Sequence, residues 1–337
     1  MTGDTQVWTP IDFEADGKQC DWLRIPHSTD LSGYGVVPAP IVCIRNGAGP
    51  TTLLMAGSHG DEYEGQLALA ALARNIDPAA IQGRIIILPA LNAPAVEAGR
   101  RVSPLDDGNL NRSFPGDPFG GPTAMIAHYV TSVLLPMADI AIDLHAGGRS
   151  CDYIPCALVR SGGPEAEQRA LADLAIAFGA PVTSISDGSG GGGKTTFSAV
   201  GQGLGVPVLT AELGGRAALS RDGLAIAERG LRNVLKHTGI LSDLAADPAP
   251  PTRFMRVRGR GAFVYAMRRG LFEPAAELGA VVEAGQLAGV IHAIDRPWQA
   301  PEPITFTEDG MVACRRAPML TVAGDCLYKL LVDVEPG

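Results

Sequence analysis

Two histidines and one glutamate in this chain have the types and the spacing of a catalytic zinc site. His59 and Glu62 form a His-x-x-Glu pair directly after the apolar run 53–56, and His145 closes the apolar run 140–144. Two imidazoles and one carboxylate leave the fourth tetrahedral position of zinc open, as in catalytic rather than structural sites. Either histidine alone could be an ordinary polar loop residue. The shared context at two strand ends predicts one zinc ion per chain.

A further glutamate has the placement expected of a general base. Glu212 follows the apolar run 208–211, so it should project from the same sheet edge as the predicted ligands. A carboxylate beside a zinc ion can take a proton from water and pass it to a leaving amine. The alternative is a surface carboxylate in a turn. Asp143 is expected to point to the opposite side of its strand from His145, either orienting that ligand or filling an ordinary buried role.

A polar loop over residues 100–116 is too long for a simple connection and is therefore a candidate binding loop. An arginine in this loop can bind a carboxylate, because a guanidinium group donates two parallel hydrogen bonds to one. Its fixed charge can also polarise an acyl oxygen. The alternative is a cluster of solvated arginines.

The elements that must position these residues alternate between short apolar strands and amphipathic helices. This pattern predicts an α/β fold with a mixed, mostly parallel sheet and helices on both faces, after a β-rich start over 1–45. Strands are predicted at 41–44, 52–56, 84–88, 140–144, 182–185 and 208–211, and helices at 64–75, 123–135, 165–178 and 220–239.

The chain changes character at the proline-rich segment 247–251, which is the predicted linker between a catalytic domain (1–246) and a small β domain (252–337). The second part has no helical periodicity, and its short strands predict a β-barrel or sandwich. Its strands are predicted at 256–264, 281–283, 287–292, 304–307, 311–313 and 327–331.

Composition excludes several classes of function. The chain has 337 residues, of which 46% are hydrophobic, and a formal net charge of −9, which disfavours binding to nucleic acids or anionic membranes. No window reaches the length of a membrane span, and the N-terminus lacks the features of a signal peptide. The six cysteines have no C-x-x-C spacing. We therefore expect a cytoplasmic protein that acts on a small molecule; homo-oligomerisation stays open.

A second motif competes with the zinc site. Residues 188–195 satisfy the phosphate-binding pattern G-x-x-x-x-G-K-[ST] after a predicted strand. Because five of the six residues 188–193 are glycine, such a match arises easily by chance. Asp143, the candidate acidic partner, already belongs to the zinc motif. Nucleotide binding is therefore kept as a minor alternative to a mobile glycine-rich loop in which Lys194 touches substrate or nothing.

Four motifs occur in the order found in a known family. They are Gly-x-His-Gly-Asp-Glu at 57–62, Asn-x-Asn-Arg-x-Phe-Pro-Gly at 109–116, Asp-Leu-His at 143–145 and Glu-Leu-Gly at 212–214. Together they resemble the succinylglutamate desuccinylase/aspartoacylase family of the zinc-carboxypeptidase-like superfamily, over roughly residues 40–240. The resemblance implies a zinc-dependent amidohydrolase that cleaves an N-acyl group from a free amino acid.

The same resemblance implies roles for the candidate residues. His59, Glu62 and His145 would bind zinc, and Glu212 would be the base and proton shuttle. Arg112, with Asn111, would hold the substrate carboxylate, and Arg101 would polarise the scissile carbonyl, although the adjacent Arg100 is hard to distinguish from it. The stretches 57–65 and 108–116 look most like the N-acetyl-diaminobutyrate deacetylases of ectoine degradation, which makes N-acetyl-L-2,4-diaminobutyrate the candidate substrate. A zinc carboxypeptidase is the alternative enzyme, because the same zinc ligands serve peptide hydrolysis.

Overall fold

The computed structural model describes residues 5–188, 193–241 and 247–334. Its first part alternates strands and helices. The strands are β1 (Gly17–Pro26), β2 (Val36–Asn46), β3 (Thr51–Ala56), β4 (Gly83–Leu88), β5 (Ile140–His145), β6 (Cys151–Tyr153), β7 (Cys156–Arg160), β8 (Val182–Ser186) and β9 (Val208–Glu212). The helices are α1 (Tyr63–Asn75), α2 (Ala93–Ala98), α3 (Pro122–Tyr129), α4 (Glu165–Phe178), α5 (Phe197–Leu204) and α6 (Arg221–His237).

The second part is built from short strands, and no α-helix is present among its described residues. Its strands are β10 (Arg253–Arg256), β11 (Phe263–Tyr265), β12 (Gly270–Pro274), β13 (Val281–Val282), β14 (Leu287–His292), β15 (Glu302–Thr305), β16 (Gly310–Arg316), β17 (Leu320–Thr321) and β18 (Cys326–Asp333). The predicted strand 256–264 is wrong, because a 3-10 turn in a glycine-containing stretch separates β10 from β11.

The large sheet confirms the predicted α/β class. Its central strands run β4-β3-β5-β9 and are all parallel, while β1 and β2 add an antiparallel edge. In β3, Leu53 and Met55 face one apolar core and Leu54 and Ala56 face the other. Helices α3 and α5 supply residues to the first core, and α1, α4 and α6 supply residues to the second. A strand covered on both faces explains why β3 is apolar throughout rather than alternating.

The strands beyond β9 form a closed ring. The order β9-β7-β8-β10-β18-β16-β6 is followed by a bridge from Asp152 to Gly215, in the segment that directly continues β9. Tyr153 N–H also donates to the Gly214 carbonyl over 3.1 Å. Strands β10, β16 and β18 come from the second part of the chain. That part therefore completes a wall that the first part leaves open.

The second part also carries a separate antiparallel sheet, β15-β14-β12-β17, which agrees with the predicted small β unit. Strand β10, after the proline-rich segment, pairs in parallel with β8, before it, so the large sheet contains strands from both parts of the chain. The division into two domains at 247–251 stays a prediction. Among the described residues, no helix is long and apolar enough to cross a membrane.

Candidate active site

The three predicted ligands lie at one edge of the sheet because they follow two neighbouring parallel strands. His59 and Glu62 occupy the turn between β3 and α1, and His145 is the last residue of β5, whose Leu144 pairs with Ala56 of β3. The carboxyl ends of parallel strands meet at a common edge, so residues 86 positions apart become neighbours.

The ligand cluster is compact and buried. Glu62 Oε1 lies 2.8 Å from His59 Nδ1, and its Oε2 lies 2.9 Å from His145 Nδ1. One ligand atom from each of the three residues lies within 4.8 Å of the others, and each residue is 3% exposed. Burial raises the pKa of Glu62, but the charges and hydrogen bonds of both histidines outweigh it and hold that pKa well below its usual range. The set is able to bind a metal ion.

The outer nitrogens of the two histidines are held by different groups. His59 Nε2 lies 3.1 Å from Asn109 Oδ1, whereas His145 Nε2 lies 2.9 Å from Asp143 Oδ2. Both contacts leave Nδ1 directed at the cluster, which suits metal binding. Burial lowers the pKa of His145, but Asp143 and Glu62 together raise it well above its ordinary value.

The expected orientation of Asp143 is wrong. Side chains alternate between faces along a strand, so residues two positions apart share a face, and Asp143 contacts His145 directly. Asn109, which the sequence interpretation did not single out, has the equivalent position beside His59. Its place two residues before Asn111 in the polar loop was the available signal.

Glu212 ends β9 directly beside His145, with which it is in register. Its Oε2 is buried and has no hydrogen-bond partner among the described residues. Burial raises the pKa of Glu212 to about 8, and the charge of Glu62 adds to this effect, while His145 and Lys329 oppose it. A buried carboxylate without a partner, adjacent to the ligand cluster, is available to exchange a proton.

The polar loop reaches the cluster through Arg101 rather than Arg100. Arg101 Nη1 lies 3.4 Å from His59 Nδ1 and 3.6 Å from Glu62 Oε1. Arg100 lines a neighbouring cavity of about 330 Å³ and accepts a backbone hydrogen bond from Gly60. The structure therefore brings Arg101 to the ligands, and its chemical role stays a prediction.

Asn111 and Arg112 both line the cavity that contains the cluster, and their side chains differ in their hydrogen bonds to the protein. The Asn111 amide is held by the protein through its Oδ1, which accepts from Phe197 N over 3.2 Å. Its Nδ2 lies 3.2 Å from His145 Nε2, but that nitrogen donates to Asp143 and therefore does not accept from Nδ2. Arg112 donates to the Asn111 carbonyl through one nitrogen over 2.7 Å. Partial burial lowers the Arg112 pKa, as does the charge of Arg101.

The cavity has a volume of about 370 Å³ and carries more positive than negative groups. Its acidic groups are Glu62 and Glu212. Its basic groups are Arg101, Arg112, Arg160 and Lys329. The sequence interpretation missed Arg160, Lys329 and the cavity residue Tyr153. Strand β7, which carries Arg160, was not predicted, and the ring that brings β18 to the cavity has no sequence signal.

Of the glycine-rich motif at 188–195, residues 189–192 lie outside the described residues. Gly188 lines the cavity and Lys194 is exposed. The described part thus lies next to the same cavity.

Comparisons with known proteins agree with this geometry. Residues 48–238 match the succinylglutamate desuccinylase/aspartoacylase catalytic domain. The chain is 39% identical over 325 residues to N-alpha-acetyl-L-2,4-diaminobutyric acid deacetylase of Halomonas elongata, which covers 96% of this chain and 94% of that protein.

Two solved structures superpose closely. One is a succinylglutamate desuccinylase/aspartoacylase from Rhodobacter sphaeroides, with a TM-score of 0.93 and 39% identity over 98% of this chain and 100% of that one. The other is the product-bound ectoine utilization protein EutE (DoeB) from Ruegeria pomeroyi, with a TM-score of 0.93 and 39% identity over 97% and 99% of the two chains.

The buried ligand set at the end of a parallel sheet places this chain among amide-hydrolysing α/β enzymes with a site able to bind a metal. The chain belongs to the succinylglutamate desuccinylase/aspartoacylase family. It is an enzyme that hydrolyses an amide bond.

Proposed function

We propose that this protein is a zinc-dependent deacylase that removes the acetyl group from N-α-acetyl-L-2,4-diaminobutyrate. The observation that carries the proposal is the cluster of His59, Glu62 and His145 beside the unpartnered carboxylate of Glu212, in a cavity of about 370 Å³. The full-length similarity to the Halomonas elongata deacetylase supports the choice of substrate.

The ligand set fits zinc better than a harder cation. Two imidazole nitrogens and a carboxylate are common ligands of catalytic zinc, whereas magnesium and calcium prefer ligand sets made of oxygen. The Nδ1 atoms of both histidines face Glu62, and their Nε2 atoms are already engaged by Asn109 and Asp143. When bound, zinc would supply Lewis-acid polarisation of the scissile carbonyl and a lower pKa for attacking water.

The chain's own residues would supply the remaining chemistry. The carboxylate of Glu212 would take the proton of the attacking water at Oε2 and return it to the nitrogen of the departing amine. The guanidinium group of Arg101 would stabilise negative charge on the acyl oxygen, for which its position next to Glu62 is suitable. Arg112 would hold the substrate α-carboxylate and so fix the amide in place.

Asn111 would hold the substrate carboxylate together with Arg112. Its Oδ1 accepts from Phe197 N at the start of α5, which fixes the amide beside the ligand cluster. Its Nδ2 has no acceptor in His145 Nε2, which donates to Asp143, so Nδ2 would donate to the substrate.

The size of the cavity favours a small substrate over an extended peptide. Residues of the strand ring, of α5 and of the polar loop line the cavity, and its volume lies near the lower end of ordinary ligand pockets. This observation favours deacylation over the carboxypeptidase alternative. A cytoplasmic location stays part of the proposal, supported by the composition.

The test is amine release from a panel of substrates by zinc-loaded and chelator-treated protein. N-α-acetyl-L-2,4-diaminobutyrate, N-acetylaspartate, N-succinylglutamate and a dipeptide would form the panel. We expect zinc-dependent release from the first compound, reduced by about 10²- to 10⁴-fold in Glu212→Gln because general acid–base catalysis has that magnitude. Glu165→Gln, at an exposed ion pair on α4, is the matched control. Cleavage of the dipeptide alone, or equal activity without metal, would refute the proposal.

A further inference from the structure

The second part of the chain delivers one charged side chain into the catalytic cavity. In the strand ring, Tyr153 of β6 is opposite Cys314 of β16, and Cys314 is in turn opposite Lys329 of β18. Residues directly opposite each other in a sheet project from the same face. Tyr153 and Lys329 accordingly both line the cavity that contains the ligand cluster.

Lys329 forms no direct ion pair with a carboxylate of the described part of the chain. Its Nζ lies 6.0 Å from the centre of the Tyr153 ring, and the charge of Glu212 acts on it without direct contact. The side chain is only partly exposed. A partly desolvated ammonium group is costly unless an opposite charge compensates it, so its position at a ligand cavity indicates that the ligand supplies that charge.

Arg112 approaches the same place from the polar loop. Arg112, Lys329, Tyr153 and Glu212 all line this cavity, and the charge of each of the two cations is attracted by that of Glu212. Two cations from distant parts of the sequence thus converge around Glu212. Glu212 is needed for proton transfer under the proposed function, so it does not serve as their permanent counter-ion.

We propose that Lys329 is a substrate-binding residue whose ammonium group, together with Arg112, binds the α-carboxylate of the N-acyl amino acid. The inference rests on the proposed deacylase function and extends it to the second part of the chain. It assigns to β18 a specificity role, namely selection for substrates with a free carboxylate. A bound carboxylate between a guanidinium and an ammonium group would receive charge-assisted hydrogen bonds from both.

The experiment compares two substrates in matched variants. The substrates are N-α-acetyl-L-2,4-diaminobutyrate and its primary carboxamide, which lacks only the carboxylate charge. The variants are Lys329→Met, which keeps the length of the side chain, Lys329→Arg, which keeps the charge, and the control Lys18→Met on β1. Zinc content and melting temperature are measured for each variant.

We expect Lys329→Met to lower kcat/KM for the acid by about 10- to 100-fold, mainly through KM, because a hydrogen bond to a charged group has that magnitude. The same variant should change kcat/KM for the carboxamide by less than about threefold, and Lys329→Arg should recover part of the loss with the acid. Lys18→Met should behave as the wild type with both substrates.

Two outcomes would overturn the assignment. An equal loss with acid and carboxamide would show that Lys329 acts through Glu212 or through the fold, and no loss with either would show that it does not contact substrate. Calorimetric titration of Glu212→Gln, with and without Lys329→Met, checks binding without turnover. If the wild type does not hydrolyse the acid, the proposed function fails; the Lys329 assignment then fails only if the titration also shows no carboxylate-dependent binding.

Discussion

Zinc binding by His59 and His145, the two histidines of the proposed metal site, should change in opposite directions when the residues that contact their Nε2 atoms are exchanged between carboxylate and amide. His145 is supported by a carboxylate, Asp143 Oδ2, at 2.9 Å, and His59 by a neutral amide, Asn109 Oδ1, at 3.1 Å. A carboxylate makes the imidazole a stronger ligand than an amide does. Asp143→Asn should therefore weaken zinc binding, and Asn109→Asp should strengthen it, with almost no change in side-chain volume.

The magnitude follows from the burial of these contacts. Asp143 is 1% exposed, so solvent does not screen its contact with His145. Loss of such an outer partner typically costs 10- to 100-fold in metal affinity, which corresponds to about 1.4–2.7 kcal/mol. Asn109 is less buried, so the gain for Asn109→Asp should be smaller, up to about tenfold, because a charge-assisted hydrogen bond is roughly twice as strong as a neutral one.

The assay is competition for zinc against a chromophoric chelator, with the melting temperature of the metal-free protein as a control for folding. Asp139→Asn is the matched control variant, because Asp139 accepts from Thr51 N and lies outside the cluster. The reasoning would be refuted if Asp143→Asn bound zinc as tightly as the wild type, or if Asn109→Asp weakened binding as much as Asp143→Asn did.

Two further predictions concern pH and packing. Burial raises the pKa of Glu212 to about 8, and a bound cation lowers it. Because catalysis needs the ionised base, kcat/KM should rise with pH and level off below pH 8. A profile that falls over this range would contradict the assigned role. Gly60→Ala should destabilise the fold and lower zinc affinity, because an added Cβ would collide with the Ala95 carbonyl group next to the ligand turn. Gly203→Ala, whose Cβ meets nothing within 4 Å, should leave the melting temperature unchanged or higher; equal melting temperatures in the two variants would contradict the packing argument.

The central strands could be predicted from apolar runs because these strands are buried on both faces of the sheet. Strands β3, β5 and β9 lie within one or two residues of their predicted bounds, and helix α4 has its predicted bounds. Strand β7 was not predicted, since Cys156–Arg160 follows a turn-rich stretch and has no distinctive period. The run 256–264 was predicted as one strand, but the ladder between β10 and β18 ends at Arg256, and β18 pairs with this run again only from Phe263 of β11.

In the candidate site, too, some features were predictable from the sequence and others were not. The candidate ligands and Glu212 follow apolar runs, so a local pattern was sufficient to predict that they lie at one edge of the sheet. The distinction between Arg100 and Arg101 depends on the path of a loop, which the residue types do not specify. The side of the strand on which Asp143 lies followed from the alternation of side chains, and our expectation was mistaken on that point.

By itself, the sequence determined the fold class and the family and indicated the candidate metal-ligand set, because each rests on residues close together in the chain or on ordered motifs. Only the tertiary structure decided which groups complete the cavity. Asn109 faces His59 through the path of the polar loop, and Lys329 reaches the cavity because β6, β16 and β18 pair within a closed ring. The pairing of β6 with β16 joins residues more than 150 positions apart, and no local pattern encodes such a pairing.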